Sequence, residues 1–473
     1  MNLISSKINF FKKDVERIFK KKTVKIWLGK LSKHLNTEEK EIVFFFEKKY
    51  IENIDLRDMV KKKKICLPLA VIHGLLFIPY IFLIFILKGT KENFHKYYIL
   101  IDNINSQIEL DRYRKLISLS KHSILARGVN VKSNNLKGCN IVYEKRFFNY
   151  ILEIKDFKFL LINFFYLFYF SFKFKINFFY LFLHLVDDFY YFKSFFRKYR
   201  CKFMISHQHY HTNNIKNIIS KQYGTISCIL QKNTDTSNLN GHFYHADIAF
   251  TFGSKVGLEM NTRDSIIKKK VPMGSFFMEH YLYKKKISLN GYKKFDILCI
   301  GGNQLHPGGL LDISKYNAQD YTEHLDWLIK ISDEFPNLRI GFKHHNNNSN
   351  NFEKNYLMNS RVVMLNNNIN SYYQCLKSKI IVSYCSTMIV EMKSLNKKAF
   401  YISPNKRNSE YLSWAMNKDH DDLLIGNYSK FRKIIYNNLN NQKIFTNSNK
   451  IDYKYCLQSK NYSKNLLKYF SSI

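Results

Sequence analysis

Short apolar runs alternate with amphipathic segments along most of this chain. Tyr97–Ile101, Phe203–Ser206 and Thr225–Gln231 are apolar runs of strand length, and segments with helical spacing, such as Gln107–Leu119 and His211–Gln222, separate them. Two parallel strands need a crossover between them, which is usually a helix, so this alternation is typical of parallel sheets. The pattern predicts an α/β fold with helices on the faces of a parallel sheet.

The alternation restarts near residue 294, after the polar and basic linker Tyr281–Tyr292. The second series of apolar runs consists of Phe295–Ile300, Leu338–Phe342, Val362–Leu365, Ile380–Ser383 and Ala399–Ile402. The restart predicts two Rossmann-like domains that face a cleft. We assign residues 1–95 to a helical, partly membrane-associated N-terminal region, 96–285 to the first domain, 290–445 to the second, and 446–473 to a C-terminal tail.

The segment Ile65–Leu87 carries no charge over 23 residues, more than the roughly 20 that span a bilayer core as a helix. Lysines flank both ends, so the distribution of positive charge gives no orientation. Pro68, Gly74 and Pro79 interrupt the segment. A membrane span, a kinked insertion and a buried core helix all fit this sequence.

Phenylalanine and tyrosine crowd residues 157–199, where lysine and arginine are interleaved with them. The uncharged stretch Phe159–Phe172 is too short to span a bilayer. Such a composition fits a helix that lies at a membrane interface, and it also fits a pair of aromatic core helices.

The chain is strongly basic, with a net charge of +38 and an isoelectric point near 9.7. This balance favours anionic partners: nucleic acid, anionic lipid or phosphorylated substrates. No zinc-finger spacing, RNA-recognition signature or basic-zipper pattern is present, so we do not predict nucleic-acid binding. Abundant Lys, Asn, Ile, Phe and Tyr would also follow from an AT-rich coding sequence. The eight cysteines include no C-x-x-C pair, which fits a reducing cytosol better than a disulfide framework.

The segment after the strand Ile380–Ser383 is the most informative for function. It contains Ser386 and Thr387, either of which can cap a following helix, and Glu391 lies one turn into that helix. The amides of a helix start can hold a phosphate, and a carboxylate nearby can accept from sugar hydroxyls. An ordinary capped strand–turn–helix fits the same residues.

The same segment resembles the donor side of two-Rossmann-domain (GT-B) glycosyltransferases, in particular bacterial capsule and surface-polysaccharide enzymes. Ser386, Thr387 and Glu391 match the Ser-Ser/Thr-x₃-Glu pattern of that family, whereas Asn396 and Ala399 stand where the family has glycine and proline. The order of the preceding segments also fits, so the resemblance covers roughly residues 200–425.

The resemblance implies a nucleotide-sugar donor in the second domain. Lys343 would neutralise charge on the leaving phosphate, with no bound metal and no cofactor, because the nucleotide sugar is a substrate. The family often has Lys-x-His-Pro where this chain has Asn346, which leaves the roles of His344 and His345 open. The implied donor site comprises Gly301, Gly302, Asn303, Lys343, His344, His345, Ser383, Ser386, Thr387 and Glu391.

The first domain would then bind the acceptor. His207 and His209 follow a predicted strand, and either can act as the general base that deprotonates an acceptor hydroxyl. Together with His211 they could instead suggest a metal site, but no Cys or acidic ligand accompanies them. Lys232 stands where capsule-type relatives often carry a histidine after glutamine.

We therefore expect a metal-independent glycosyltransferase at the inner face of the cell membrane. It would transfer a sugar from a nucleotide donor to a surface polysaccharide or lipid-linked acceptor, and its basic, aromatic N-terminal part would contact anionic lipid. A CDP-polyol phosphotransferase of the same fold and a non-catalytic membrane-bound scaffold are the alternatives.

Overall fold

Two separate parallel sheets, each flanked by helices, form the protein. The computed structural model describes residues 13, 15–52, 67–86, 94–128, 138–143, 153–207, 212–234, 243–256, 265–283, 291–302, 315–345, 352–366, 368–404, 423–439 and 454–473. Within these residues every strand pair is parallel. The structure confirms the predicted α/β architecture of two Rossmann-like domains in a GT-B-like arrangement.

The first sheet has seven strands in the order β3-β2-β1-β4-β5-β6-β7. Its order reverses between β1 and β4, which pair directly, with Leu100 opposite Met204. The strands are β1 (His95–Ile104), β2 (Ile124–Gly128), β3 (Cys139–Tyr143), β4 (Tyr199–Ser206), β5 (Ile226–Leu230), β6 (His245–Thr251) and β7 (Ile266–Pro272).

The second sheet has six strands in the order β10-β9-β8-β11-β12-β13, and its order reverses between β8 and β11. Its central strands are fully buried on both faces, as expected for the continuous apolar runs in the sequence. The strands are β8 (Ile297–Ile300), β9 (Ile340–Lys343), β10 (Val363–Leu365), β11 (Ile380–Ser383), β12 (Lys398–Ile402) and β13 (Leu424–Ile425).

The helices precede, connect and follow these strands. They are α1 (Lys22–Leu35), α2 (Glu39–Glu52), α3 (Leu67–Ile86), α4 (Gln107–Arg112), α5 (Arg114–Leu119), α6 (Ile154–Phe174), α7 (Phe178–Lys198), α8 (Asn214–Gln222), α9 (Phe276–Tyr283), α10 (Lys315–Glu334), α11 (Phe352–Leu357), α12 (Ser371–Lys377), α13 (Met388–Lys393), α14 (Tyr428–Leu439) and α15 (Tyr462–Ser471). The predicted helix over 107–119 is divided in two at Tyr113.

The first sheet separates two hydrophobic cores. Alternate residues of β1 point to opposite faces, so Ile99 and Ile101 join the core under α4, α5 and α15, whereas Leu100 joins the core under α7 and α8. That second core continues outwards into α1, α2, α3 and α6, with Trp27 and Phe46 among its buried rings. The N-terminal helical region is therefore built onto one face of the first domain.

A buried ionic triad joins the first sheet to this helical layer. Asp102 of β1 lies between Arg127 of β2 and Lys216 of α8, with 2.5 Å from its Oδ1 to Arg127 Nε. Burial disfavours the charged carboxylate, but the two cations outweigh it and hold the pKa of Asp102 well below its usual range. The Arg127 guanidinium also lies 5.2 Å from the ring of Phe192 on α7.

The two hydrophobic segments form α3 and α6, which pack against each other. The Phe82 and Phe157 ring centroids are 5.1 Å apart and those of Phe77 and Phe164 6.1 Å, so the helices run antiparallel. The expectation that 159–172 is too short to span is wrong for the helix as a whole. Within the described residues α6 alone is long and apolar enough to cross a membrane, and 28% of its most apolar window is buried.

The predicted tail contains the helix α15, which returns to the first domain. The Phe470 ring stacks on Phe203 of β4 with centroids 4.1 Å apart, and Tyr98 donates a hydrogen bond to the Phe470 carbonyl. Leu466 is buried in the same core. The last helix is thus part of the first domain, although it follows the second domain in sequence.

Candidate functional site

The polar motifs of the second domain meet at the point where the strand order reverses. β8 lies between β9 and β11, so the residues that follow these three strands share one edge of the sheet. They are Gly301–Gly302 after β8, Lys343–His344 at the end of β9, and Ser383–Thr387 after β11. Ligands of open parallel sheets bind in the crevice at such a point. The structure therefore brings together three groups of residues that are up to 86 positions apart.

Hydrogen bonds fix these segments to one another. The Gly301 amide donates to the Lys343 carbonyl at 2.9 Å, and the Ser383 hydroxyl donates to the Ile300 carbonyl at 2.6 Å. The Ser383 hydroxyl also accepts from the Ser386 amide at 3.0 Å. Ser383 is thus buried and shapes the turn, while Ser386 and Thr387 stay half-buried beyond it.

The two hydroxyls of the turn have different partners. Ser386 Oγ accepts from the amide of Met388 at 3.3 Å, whereas Thr387, the N-cap residue of α13, makes no side-chain cap hydrogen bond. Thr387 Oγ1 instead accepts from the backbone amide of Thr234, which follows β5 of the first domain, at 3.2 Å. Thr234 also lies 3.4 Å from the hydroxyl of Tyr401. The site therefore lies where the two domains meet.

Lys343 and the two histidines after it lie at the end of β9. The Lys343 side chain is buried and donates to the His344 carbonyl at 3.0 Å. Burial lowers the pKa of Lys343. Nδ1 of His344 lies against the carboxylate of Glu353 on α11, and His345 is half-buried.

Glu391 is buried between the two domains. Its carboxylate accepts hydrogen bonds from the hydroxyls of Ser275, in the segment before α9, and Tyr372 of α12. Burial raises the pKa of Glu391 to about 7, although both hydroxyls favour the charged form. In this structure the side chain joins the domains, and its role toward a ribose hydroxyl stays a prediction.

His207 lies at the reversal point of the first sheet, directly after β4. It is fully buried, with Nδ1 3.0 Å from the hydroxyl of Tyr113 and Nε2 3.5 Å from Glu109 Oε1. Burial lowers the pKa of His207, and the nearby carboxylate opposes this effect. The ring is therefore neutral near pH 7, and its function as a general base stays a prediction.

Two predicted site residues, His209 and Asn303, lie outside the described residues, as does His211. In the part of the chain that the structure describes, no three His, Cys, Asp or Glu side chains form a group that could hold a metal ion. Metal-independent chemistry stays a prediction.

A buried polar layer beneath the second-domain site was not predicted from sequence. Asp320 accepts from Tyr384 at 2.9 Å and from Ser403 at 3.2 Å, and Glu353 accepts from Tyr321 at 2.5 Å. No local motif marks these residues. The only sequence signal is the pair Asp320 and Tyr321, an acidic residue and a tyrosine that interrupt an otherwise amphipathic helix.

Comparisons with known proteins give structural similarity only. No family model matches the chain, and no curated protein matches it. Among solved structures, a co-structure of S. aureus MnaA with UDP aligns with 79% of this chain and 97% of its own, at 10% identity and a TM-score of 0.46. UDP-GlcNAc 2-epimerase from Neisseria meningitidis bound to UDP-GlcNAc aligns with 80% of this chain and 100% of its own, at 10% identity and a TM-score of 0.44.

The wall teichoic acid polymerase TagF covers 91% of this chain and 98% of its own, at 12% identity and a TM-score of 0.44. At such scores these similarities add no argument about ligands or reaction. The class is defined by the coordinates themselves: a two-domain α/β protein of GT-B-like architecture with polar motifs at its strand-reversal points.

Proposed function

We propose that the protein is a glycosyltransferase that uses a nucleotide-sugar donor bound by the second domain. The observation that supports it most is the convergence of Gly301–Gly302, Lys343–His344 and Ser383–Thr387 at the carboxyl ends of three adjacent strands. Glycines permit close approach of the backbone to a phosphate, and the lysine, histidine and hydroxyls supply the cation and donors that a diphosphate needs.

The position of this site also supports transfer rather than simple binding. Thr387 contacts Thr234 of the first domain, so a donor held at the turn would face the first domain. An acceptor bound there could then reach the anomeric carbon of the donor. The acceptor in this proposal is a surface polysaccharide or a lipid-linked precursor.

Binding and turnover of nucleotide conjugates test the proposal. We expect a UDP-, GDP- or CDP-sugar to bind with micromolar to millimolar affinity and to turn over when an acceptor is supplied. The double substitution Ser386→Ala with Thr387→Val should weaken binding on the order of tenfold, because each lost charge-assisted hydrogen bond is worth about 1 kcal/mol or more. Ser429→Ala, at an exposed position of α14, is the matched control.

The substrate panel separates the alternatives. Turnover of a CDP-polyol without sugar transfer would show that the group transferred at this site is a polyol phosphate and not a sugar. Tight nucleotide binding without turnover of any donor would favour a non-catalytic scaffold. Absence of binding for the whole panel would overturn both the donor site and the transferase.

We further propose that an apolar face on α3 and α6 holds the protein on the cytosolic surface of an anionic membrane. Exposed hydrophobic side chains support this placement, above all Leu75 and Phe165, which are each 74% exposed. We call this set the apolar face: Val71, Ile72, Leu75, Leu76, Ile78, Phe82, Leu83, Ile154, Ile162, Phe165, Phe168, Tyr169 and Phe172. Contiguous exposed apolar surface of this kind marks interaction sites.

The charges beside the apolar face favour lipid over a protein partner. A groove of about 840 Å³ on α6 is lined by five aromatic rings and Lys173. Lys30 reaches α6 through a hydrogen bond of 2.7 Å to Tyr166. Across α1, α3 and α6 Asp156 is the one acidic residue, and it is buried. The exposed carboxylate of Glu153, just before α6, pairs with Lys155 at 2.7 Å. Within the three helices the exposed charges are basic, and an apolar surface flanked by such lysines complements an anionic bilayer.

Vesicle co-sedimentation tests this placement. We expect binding to phosphatidylglycerol vesicles that weakens with salt, and much weaker binding to phosphatidylcholine. Leu75→Ser with Phe165→Ser should reduce partitioning about tenfold or more, since insertion of each largely exposed side chain contributes roughly 1 kcal/mol or more. Met358→Ser, which changes a 71% exposed methionine in the second domain, is the control. Equal partitioning of the double variant, or dimers in solution that the double variant abolishes, would contradict membrane contact.

A further inference from the structure

Glu353 occupies an unusual place beneath the second-domain site. It lies in the first turn of α11 and its side chain is fully buried. One carboxylate oxygen accepts from the hydroxyl of Tyr321 at 2.5 Å, and the other lies against Nδ1 of His344. A buried carboxyl group is costly unless its oxygens have polar partners, and here each oxygen has one.

The same carboxylate supports the glycine turn after β8. A Cβ atom added at Gly301 would lie 3.0 Å from Glu353 Oε1, tighter than ordinary side-chain contacts. The Gly302 amide donates to the hydroxyl of Tyr321 at 3.5 Å. One continuous set of contacts therefore runs from the glycine turn through Tyr321 and Glu353 to His344.

This contact has a consequence for the imidazole. A carboxylate beside Nδ1 favours the proton on that nitrogen and restricts rotation of the ring, as acidic partners do for histidines that bind ligands.

We propose that Glu353 is a positioning residue for the donor phosphates. It holds the His344 ring and, through Tyr321, the Gly301–Gly302 turn. The imidazole and the amides of the turn then face the same diphosphate of a bound nucleotide. In this arrangement the His344 imidazole contacts the phosphate. The inference rests on the proposed function, because it assigns a role within the same site.

The test compares Glu353→Gln with the wild type in the full-length protein. Glutamine keeps the volume and an oxygen for Tyr321 but removes the charge beside His344. We expect UDP and CDP to bind on the order of tenfold more weakly, about the lower end of what loss of the hydrogen-bond partner costs at metal-binding histidines. Glu334→Gln, which removes a surface carboxylate that pairs with Arg432, should bind as the wild type does.

A spectroscopic readout separates positioning from general stability. Nitrogen NMR of histidine-labelled protein, with His344 assigned through His344→Gln, should show the proton on Nδ1 in the wild type and a changed tautomer distribution in Glu353→Gln. Tyr321→Phe keeps the ring against Tyr384 and removes the link to the turn, so it should weaken nucleotide binding several-fold without altering the tautomer.

Unchanged nucleotide affinity in Glu353→Gln, or an unchanged His344 tautomer, would overturn the positioning role. If the glutamine variant does not fold, normal affinity in Tyr321→Phe overturns it equally. A wild type that binds no nucleotide would instead remove the proposed function. The tautomer comparison needs no nucleotide and would still report whether Glu353 orients the imidazole.

Discussion

The two sheets have the same kind of strand reversal, but the residues at the two reversal points differ. In the first domain His207 is enclosed by Tyr113 and Glu109, and no part of the ring reaches solvent. In the second domain a glycine pair and a half-buried turn with Ser386 and Thr387 occupy the equivalent edge. Among the described residues, the same topology thus encloses the histidine side chain in one domain and leaves the hydroxyls of Ser386 and Thr387 half-buried in the other.

The layers beneath the reversal points differ as well. The first sheet rests on an ionic triad among aromatic rings, whereas the second rests on tyrosine and serine hydroxyls bonded to Asp320 and Glu353. The difference indicates that the buried charges of the first domain mainly stabilise the packing of its sheet against the helices. The second domain keeps polar groups next to the proposed donor site by pairing each acid with neutral donors or a histidine.

The largest expected effect comes from breaking the triad of the first domain. Asp102→Asn leaves Arg127 and Lys216 buried without their counter-charge, so the free energy of unfolding should fall by about 3–5 kcal/mol. Denaturant unfolding measures the change. The control is Glu334→Gln in the second domain, where the partner Arg432 is largely exposed and the loss should stay below about 1 kcal/mol. Similar losses in the two variants would contradict the contrast between the domains.

Glu391 gives a pH-dependent effect at the contact between the domains. Its folded pKa of about 7 is above the ordinary value of 4.5, so the protonated form stabilises the folded state. That stability is fully present below about pH 4.5 and is lost as pH rises through about 7.

The substitution Glu391→Gln should abolish this pH dependence of the folding stability. Relative to the variant, the wild type should lose up to about 3 kcal/mol between pH 5 and pH 8, which paired thermal-unfolding curves would measure. A constant difference between the two proteins across that range would show that the carboxyl does not titrate in the folded state.

The smallest effect concerns the glycine turn. Gly301→Ala places a methyl group 3.0 Å from Glu353 Oε1 and 3.1 Å from the Phe342 ring, so it should destabilise by about 1–3 kcal/mol and weaken nucleotide binding. Gly291→Ala introduces a methyl group with no atom within 4 Å and should be nearly neutral. Calorimetry on both variants compares a crowded glycine with an open one. Equal stability and binding would show that the turn accepts a side chain.

Much of the fold was predictable because its central strands are continuous apolar runs. β8, β11 and β12 lie within two residues of their predicted bounds. The strands β2, β3, β7 and β13 were not predicted: β7 carries three consecutive lysines, β13 has only two residues, and the buried β2 ends in Arg127 and Gly128. A strand at a sheet edge needs less apolar character, so its sequence signal is weak.

The candidate site was predictable where a local motif marks it and not where distant residues complete it. The serine–threonine turn and the glycine pair were found from sequence. The burial of His207 depends on Tyr113, 94 positions earlier, and the hydrogen-bonding of Glu391 depends on Ser275, 116 positions earlier. Such partners are set by the packing of the domains, which no local pattern encodes.

The return of α15 to the first domain has a mechanical consequence. The polypeptide leaves the first domain after α9 and returns to it before Tyr455. The returning segment packs closely there, because a Cβ atom added at Gly253 would collide with the backbone of Tyr455. The second domain is thus connected to the first domain at both of its ends. Opening of the crevice between the domains would therefore have to displace both connections together.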